Sequence, residues 1–388
     1  MARFEKGSEV VETTYAAARY ANEMRRLLRS GWTRVADLRC EVPLGGEPIN
    51  ATLEEALRSD PSDIGAALVY ADWLQQQGHP RGALIAVQHR LSRNPRDVEL
   101  IEAERVIVDE AGDALLSKPL LAHFTMMRGK HEMGLSKNLY EGGTVTFDHG
   151  FIREAVVVLK ERGIDEDLFW ELLRHPSARV LAKLVVRAER PRDIDLIAAL
   201  ITHGPRPPLR SLAFRVEQRG GVVDLSGLDV AYPLLEELEL TIHNVRFGEL
   251  DVPRLRRLAL HGEYSDLGRI LAAGPWPVLE GLEISGEPEG YQLAFEHPQF
   301  PKLRSLSIHR THRADPPRDG LLICRLIVRS PIAAQLERLH LPGVRLSLEA
   351  ITMLVENRAR FERLATLKIE TSGRSFDLER LREAGYPL

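Results

Sequence analysis

Leu235-Glu236-Glu237-Leu238-Glu239-Leu240 is echoed twenty residues later by Leu255-Arg256-Arg257-Leu258-Ala259-Leu260, and again by Leu279-Glu280-Gly281-Leu282-Glu283-Ile284. The shared phrase, L-x-x-L-x-L with any apolar residue at the fixed places, occurs eight times. The other copies run from Leu181 to Val186, Leu209 to Phe214, Leu303 to Ile308, Leu336 to Leu341 and Leu364 to Ile369, and the first leucines are separated by steps of 28, 26, 20, 24, 24, 33 and 28 residues. The end of the phrase alternates with the two-residue period of a strand, so its apolar side chains enter a core while the ones between face water. One such strand cannot hide its apolar face alone. Strands stacked in parallel bury a continuous ladder of leucines, and because the returning segments are bulkier than the strands, the stack bends with the strands on its concave side. Helical spacing of apolar residues predicts helical returns at 192–201, 265–273, 321–329 and 347–360, whereas 218–233 is too rich in glycine to assign.

The 388 residues, 44% of them hydrophobic, suffice for a sizeable core and for two or three domains. With 52 Lys plus Arg against 56 Asp plus Glu the net charge is -4, so no global field draws the molecule to nucleic acid or an anionic membrane. Two cysteines, Cys40 and Cys324, form neither a disulfide framework nor a CxxC pair. A reducing cytoplasm is the expected location. The opening residues lead into no apolar signal segment and no run of apolar residues is long enough to span a bilayer, so neither secretion nor a membrane span is expected.

Residues 176–371, about half the chain, resemble the leucine-rich-repeat family. The resemblance implies an α/β fold, with a helical N-terminal module followed by a curved solenoid and a parallel sheet on the concave face. One departure stands out. The Asn or Cys that forms a buried ladder after the strand in that family is mostly missing, Asn244 being the one candidate.

Ahead of the repeats, Thr52-Leu53-Glu54-Glu55 reads as a capping box that opens a short helix closed by Asp60-Pro61. A second helix is predicted over 61–77, with Ile64, Ala67, Leu68, Ala71 and Leu74 on its apolar stripe, and a third after His79-Pro80-Arg81-Gly82. A fourth is expected between Asp97 and Leu116. The wording Val69-Tyr70-Ala71-Asp72-Trp73-Leu74, then Gly78-His79-Pro80-Arg81-Gly82 and Leu84-Ile85-Ala86-Val87-Gln88, resembles the bacterial repeat-companion domain. That family is a short helical region found ahead of repeat arrays and has no established activity. His79 and Ala83 stand where the family usually carries acidic residues. Trp73 is expected to anchor a core and Asp72 to pair with an arginine or cap a helix. Residues 129–175 read as a connector that ends in the first strand of the array, near Phe151 to Val158, and 176–388 as the repeat array with a closing helix after Asp377. At the start of the chain, apolar spacing predicts a helix from Glu12 to Arg29 within an N-terminal region, 1–40. The following Gly31-Trp32 resembles the end of the last helix of the WGR domain, without that domain's strands and Trp-Gly-Arg motif. Pro43, Gly45, Gly46 and Pro48 mark 41–51 as a linker between it and the repeat-companion module, 52–128.

No nucleophile elbow, zinc-binding helix, phosphate loop or dinucleotide fingerprint is present. No cofactor and no metal are therefore expected, and Gly142-Gly143 reads as a turn before a strand. The residues that should face outward form three rows across the strands, and from them the expected partner-binding set is Arg215, Glu237, Glu239, Arg257, His261, Glu283, His309, Arg338, His340 and Lys368. Strand spacing of about 4.8 Å leaves His261 and His309, two strands apart, too far from each other to share a metal. No Trp or Tyr lies in the rows; Tyr264, Trp276 and Tyr291 are expected on loops or on the convex side. The leading expectation is a protein–protein interaction scaffold with an unspecified protein partner. The alternatives are a nucleic-acid-linked regulator using the basic first helix, and an enzyme with an unrecognised site.

Overall fold

In the computed structural model seven of the eight copies of the repeated phrase form strands that share a single register. The structure describes residues 2–6, 9–13, 33–37, 47–61, 63–128, 131–133, 143–159, 166–188, 200, 204–216, 223–224, 227–242, 245–246, 252–262, 267, 271, 274, 276–285, 295, 300–309, 318–369 and 375–388. The chain divides into two compact units, Met1–Leu209 and Arg210–Leu388. The first copy of the phrase therefore belongs to the first unit.

The first unit opens with a three-stranded antiparallel sheet, β1 (Ala2–Lys6), β2 (Glu9–Thr13) and β3 (Thr33–Asp37), in the order β2-β1-β3. The helix expected from Glu12 is corrected at its start, because Glu12 and Thr13 pair with β1 as the end of β2. Residues 14–32, which hold the rest of that prediction, lie outside the described residues, as does Cys40. Helices follow: α1 (Ala51–Ser59), α2 (Ile64–Gln76), α3 (Pro80–Arg93), α4 (Val98–Leu115) and α5 (Lys118–His123). Asn50, not Thr52, caps α1, its side chain accepting from Leu53 N at 3.2 Å, so Thr52 sits inside the first turn. The stripe of α2 rotates slightly from its predicted face: Ala67, Tyr70, Ala71 and Leu74 are buried while Ile64 is exposed.

Next come β4 (Phe124–Arg128), β5 (His131–Glu132), β6 (Gly143–Asp148), β7 (Phe151–Leu159), α6 (Glu166–Arg174) and β8 (Lys183–Ala188). Their order is β5-β4-β6-β7-β8, with β7 parallel to β8 and antiparallel to β6. His149 and Gly150, at φ 47° and 76°, join β6 to β7. Two consecutive positive φ values mark the tight hairpin turn whose twist matches that of the flanking strands.

The second unit carries β9 (Ser211–Val216), β10 (Val223–Asp224), α7 (Leu228–Ala231), β11 (Glu237–Thr241), β12 (Val245–Arg246), β13 (Arg257–His261), β14 (Gly281–Ser285) and β15 (Ser305–His309). It ends with α8 (Arg318–Arg329), β16 (Arg338–Leu341), α9 (Leu348–Glu356), β17 (Thr366–Ile369) and α10 (Ser375–Glu383). The strands β9-β11-β13-β14-β15-β16-β17 form an open, all-parallel sheet of the kind that lines a curved solenoid; β10 and β12 pair separately. Leu212, Leu238, Leu258, Leu282, Leu306, Leu339 and Leu367 stand opposite one another in register and are all buried.

Backbone chemistry fixes that register. At each of the six steps from β9 to β17, one carbonyl just before a strand accepts two consecutive N–H groups of the next strand. Arg210 O takes Glu236 N and Glu237 N, and the pattern repeats from Glu236, Arg256, Glu280, Arg304 and Glu337, with distances from 2.7 to 3.1 Å. Strand entry is thus satisfied without side chains. Asn244, the one candidate for a ladder of the family's usual kind, lies outside the described residues. The helical returns predicted at 321–329 and 347–360 are present as α8 and as α9 with a short 3-10 turn at Arg358–Arg360. Those at 192–201 and 265–273 fall largely outside the described residues. Among the described residues no helix is long and apolar enough to cross a membrane.

Candidate functional site

The residues that the second unit turns away from its core are positioned by the strand pleat alone, since Leu238, Leu258 and their counterparts occupy every other place. Two rows of outward pleat positions run in register across seven strands, with Ala213 alone buried: Ser211, Glu237, Arg257, Gly281, Ser305, Arg338, Thr366, and Ala213, Glu239, Ala259, Glu283, Ser307, His340, Lys368. In the third row, Arg215 is in register with Thr241 and His261, and Ser285 with His309. Pro342 lies past the end of β16, and Glu370 lies outside the described residues.

Charge on this face is largely cancelled between neighbouring strands. Arg215 grips Glu239 with two hydrogen bonds, at 2.7 and 3.1 Å. That fork holds the Arg215 guanidinium above its ordinary pKa, the hydrogen bond to Glu239 being the largest cause. Arg257 reaches Glu237 at 3.5 Å, and Ser211 Oγ donates to the same carboxylate. A further row, one residue earlier in the phrase, alternates in sign along the sequence: Arg210, Glu236, Arg256, Glu280, Arg304 and Glu337. Its members pair two by two, Arg210 with Glu236 at 2.8 Å, Arg256 with Glu280 at 2.9 Å and Arg304 with Glu337 at 3.3 Å. Sequence reasoning missed this row, although the alternation is plain once the copies are aligned on their first leucine. Arg338 and Lys368 differ from the rest. Both are exposed, and neither is held in an ion pair among the described residues.

His261 and His309 correct the spacing argument. Their strands lie two apart, about 9.6 Å by backbone spacing, yet their ring centroids are 5.5 Å apart. Both imidazoles lean over the strand between them toward Glu283, whose Oε1 lies 3.5 Å from His261 Nε2 and 2.7 Å from His309 Nε2. Ser307 Oγ is 3.0 Å from the same His309 nitrogen, and the His340 ring is 6.2 Å from the His309 ring. Side-chain length closes a gap that strand spacing leaves open. Among the described residues, no group of three or more His, Cys, Asp or Glu is arranged to hold a metal ion.

The motif residues of the first unit converge on a different structure, a buried ionic node at the hairpin turn. Arg81 is fully buried. Its Nε and Nη2 donate to the two oxygens of Glu47 at 3.0 Å each, Nη1 donates to the Gly150 carbonyl at 2.5 Å, and Nη2 also donates to Ser177 Oγ at 2.8 Å. Arg179 bridges Glu47 and Glu54, and donates to Tyr70 Oη at 2.8 Å, which in turn donates to Glu54. The Phe151 ring faces both guanidinium groups, at 5.1 and 5.8 Å. Burial alone would raise the Glu47 pKa, but Arg81 and Arg179 outweigh it and hold the carboxyl below its usual range. Beside them, burial and then the Arg81 charge push His175 down to about 4. Glu47 falls in the stretch read from sequence as a linker; it is instead buried as the partner of Arg81. Trp73 is half-buried and stacks on Tyr70 at 5.6 Å, and Asp72 is exposed. Trp276 lies in a loop, as expected, but is 2% exposed and donates to the Leu271 carbonyl, which leaves it no surface to offer a partner. Tyr264 and Tyr291 lie outside the described residues.

No protein-family model matches the chain, and no curated protein is significantly similar to it. Among solved structures, the chain is similar to the crystal structure of a Bacteroides fragilis protein from a structural genomics programme, at 17% identity and a TM-score of 0.43. The match covers 56% of this chain and 67% of that one.

Proposed function

We propose that this chain is a non-enzymatic scaffold that binds a protein partner on the concave sheet of its second unit. In this reading it works in the cytoplasm as a bacterial leucine-rich-repeat protein, and the node-forming helices are its repeat-companion module. The observation that carries the proposal is the register-locked lattice of polar side chains between Ser211 and Lys368. Every position is set by a backbone ladder, so a partner meets strands ordered before it arrives and little backbone freedom is lost on contact. The described rows contain no Trp or Tyr anchor of the kind that dominates tight interfaces. Charge and hydrogen-bond pattern therefore select the partner. The Arg81 node is assigned a structural role, since its charges already satisfy one another beneath the surface.

Affinity capture from native cell extract, with the intact chain compared against Glu237→Gln, Glu239→Gln and Arg257→Gln combined, tests the reading. All three side chains are at least partly exposed, so the fold is expected to persist. Loss of a reproducible partner with the melting curve unchanged is the expected result. An identical partner set from both proteins removes the β11–β13 part of the concave face from consideration.

A further inference from the structure

We infer that the β15–β17 end of the concave face receives a short acidic protein segment in extended form, with Arg338 and Lys368 as the charges that hold it. The inference rests on the concave-face reading and narrows it to a class of partner. On this face Arg215 pairs with Glu239 and Arg257 with Glu237, and three further Arg–Glu pairs cancel at the strand entries. Arg338 and Lys368 are the basic residues of the rows left over among the described residues, and they stand on adjacent strands, Arg338 in register with Thr366 and His340 in register with Lys368. From a strand spacing of about 4.8 Å and a rise of about 3.3 Å per residue, the two positions are about 8 Å apart. Carboxylates on one side of an extended segment recur about every 6.8 Å, close enough for successive acidic side chains to meet both cations.

The surroundings suit the same occupant. Ser305 and Thr366 flank Arg338 in register, and Ser307 sits beside His340, which places hydroxyl donors around the cations. Glu337, beside Arg338, is paired with Arg304, and Glu283, two strands from Arg338, is engaged by His309. A long polyanion fits worse, because elsewhere along the sheet Arg215 and Arg257 are already paired with Glu239 and Glu237, whereas nucleic-acid binding depends on many phosphates being neutralised together.

The test is fluorescence anisotropy of the full chain with fluorescein-labelled decaglutamate, and with decalysine and oligo-dT as comparison probes. Decaglutamate is expected to bind the native chain. Arg338→Glu with Lys368→Glu should weaken that binding by at least about tenfold, the neutral pair Arg338→Gln with Lys368→Gln by less, and Lys302→Glu, a charge reversal on an exposed turn, should leave it unchanged. No binding of decaglutamate, equal binding by the reversed pair, or tighter binding of oligo-dT than of decaglutamate would each overturn the inference. If the inference fails while the Glu237, Glu239 and Arg257 variant still loses its captured partner, the scaffold reading stands and only the acidic-segment assignment falls.

Discussion

Arg81 shows how much one buried side chain can organise. Its guanidinium joins Glu47, the Gly150 carbonyl and Ser177, so three separated pieces of chain depend on one cation. Arg81→Ala should lower the stability of the first unit by about 3–5 kcal/mol, because Glu47 and its charge stay buried without their main partner. Replacing both, Arg81→Met with Glu47→Leu, should recover much of that loss in urea denaturation followed by tryptophan fluorescence; a double variant as unstable as the single one would contradict this account. Gly150 faces two constraints at once: φ is positive, and an added Cβ would lie 2.5 Å from Ile85 Cγ1. Gly150→Ala is therefore expected to cost at least about 2 kcal/mol in the same assay. His175 supplies a pH dependence whose sign follows from its lowered value of about 4. Below an unfolded value of about 6.5 the unfolded chain takes up a proton that the native state refuses, so stability falls as pH drops from about 6.5 to about 4. His175→Asn keeps an acceptor for Ser177 N and removes the titration, and it should flatten that segment of the stability–pH curve. Little of this node was legible in the sequence. Glu47 and Arg81 are far apart in the chain, and the Gly/Pro-rich text around Glu47 reads as linker. Tyr70 and Arg81 drew attention only through the wording of a motif, which names residues without telling what they touch.

At the scale of the element, the repeated phrase was legible because its period is that of the pleat: aligning the copies on their first leucine predicts the two outward rows that the structure places in register. The convergence of His261 and His309 was not legible, since strand spacing says where backbones lie and nothing about which way imidazoles lean. Charge pairs on the sheet are partly exposed, so each contributes little. A double-mutant cycle on Arg215 and Glu239, each to Ala, should return a coupling of about 0.3–1 kcal/mol that shrinks in high salt. A coupling above that range would show that the sheet surface is drier than its exposure implies. Strand β17 is covered by residues 386 and 387. Pro387 O accepts from Leu367 N at 2.7 Å, Tyr386 Oη donates to the Leu354 carbonyl, and Arg358 covers the Tyr386 ring at 5.0 Å. Deletion of residues 384–388 should lower the melting temperature and produce concentration-dependent oligomers in light scattering, because β17 then offers an unshielded edge. A truncated chain that stays monomeric would assign the guarding of that edge to other residues.

Across the whole molecule, the repeats differ in length by more than a dozen residues, the step being 20 from Leu235 to Leu255 and 33 from Leu303 to Leu336, while from β9 to β17 the pairing of one strand with the next keeps one register. All of that variation is absorbed between strands. An insertion or deletion in a return therefore has no lever with which to displace the residues on the sheet, and a substitution on the sheet has none with which to disturb the returns. Copying errors that would scramble an ordinary sheet become harmless spacers here. Length in the returns and pattern on the sheet are in effect separate dials, and selection can turn one without resetting the other.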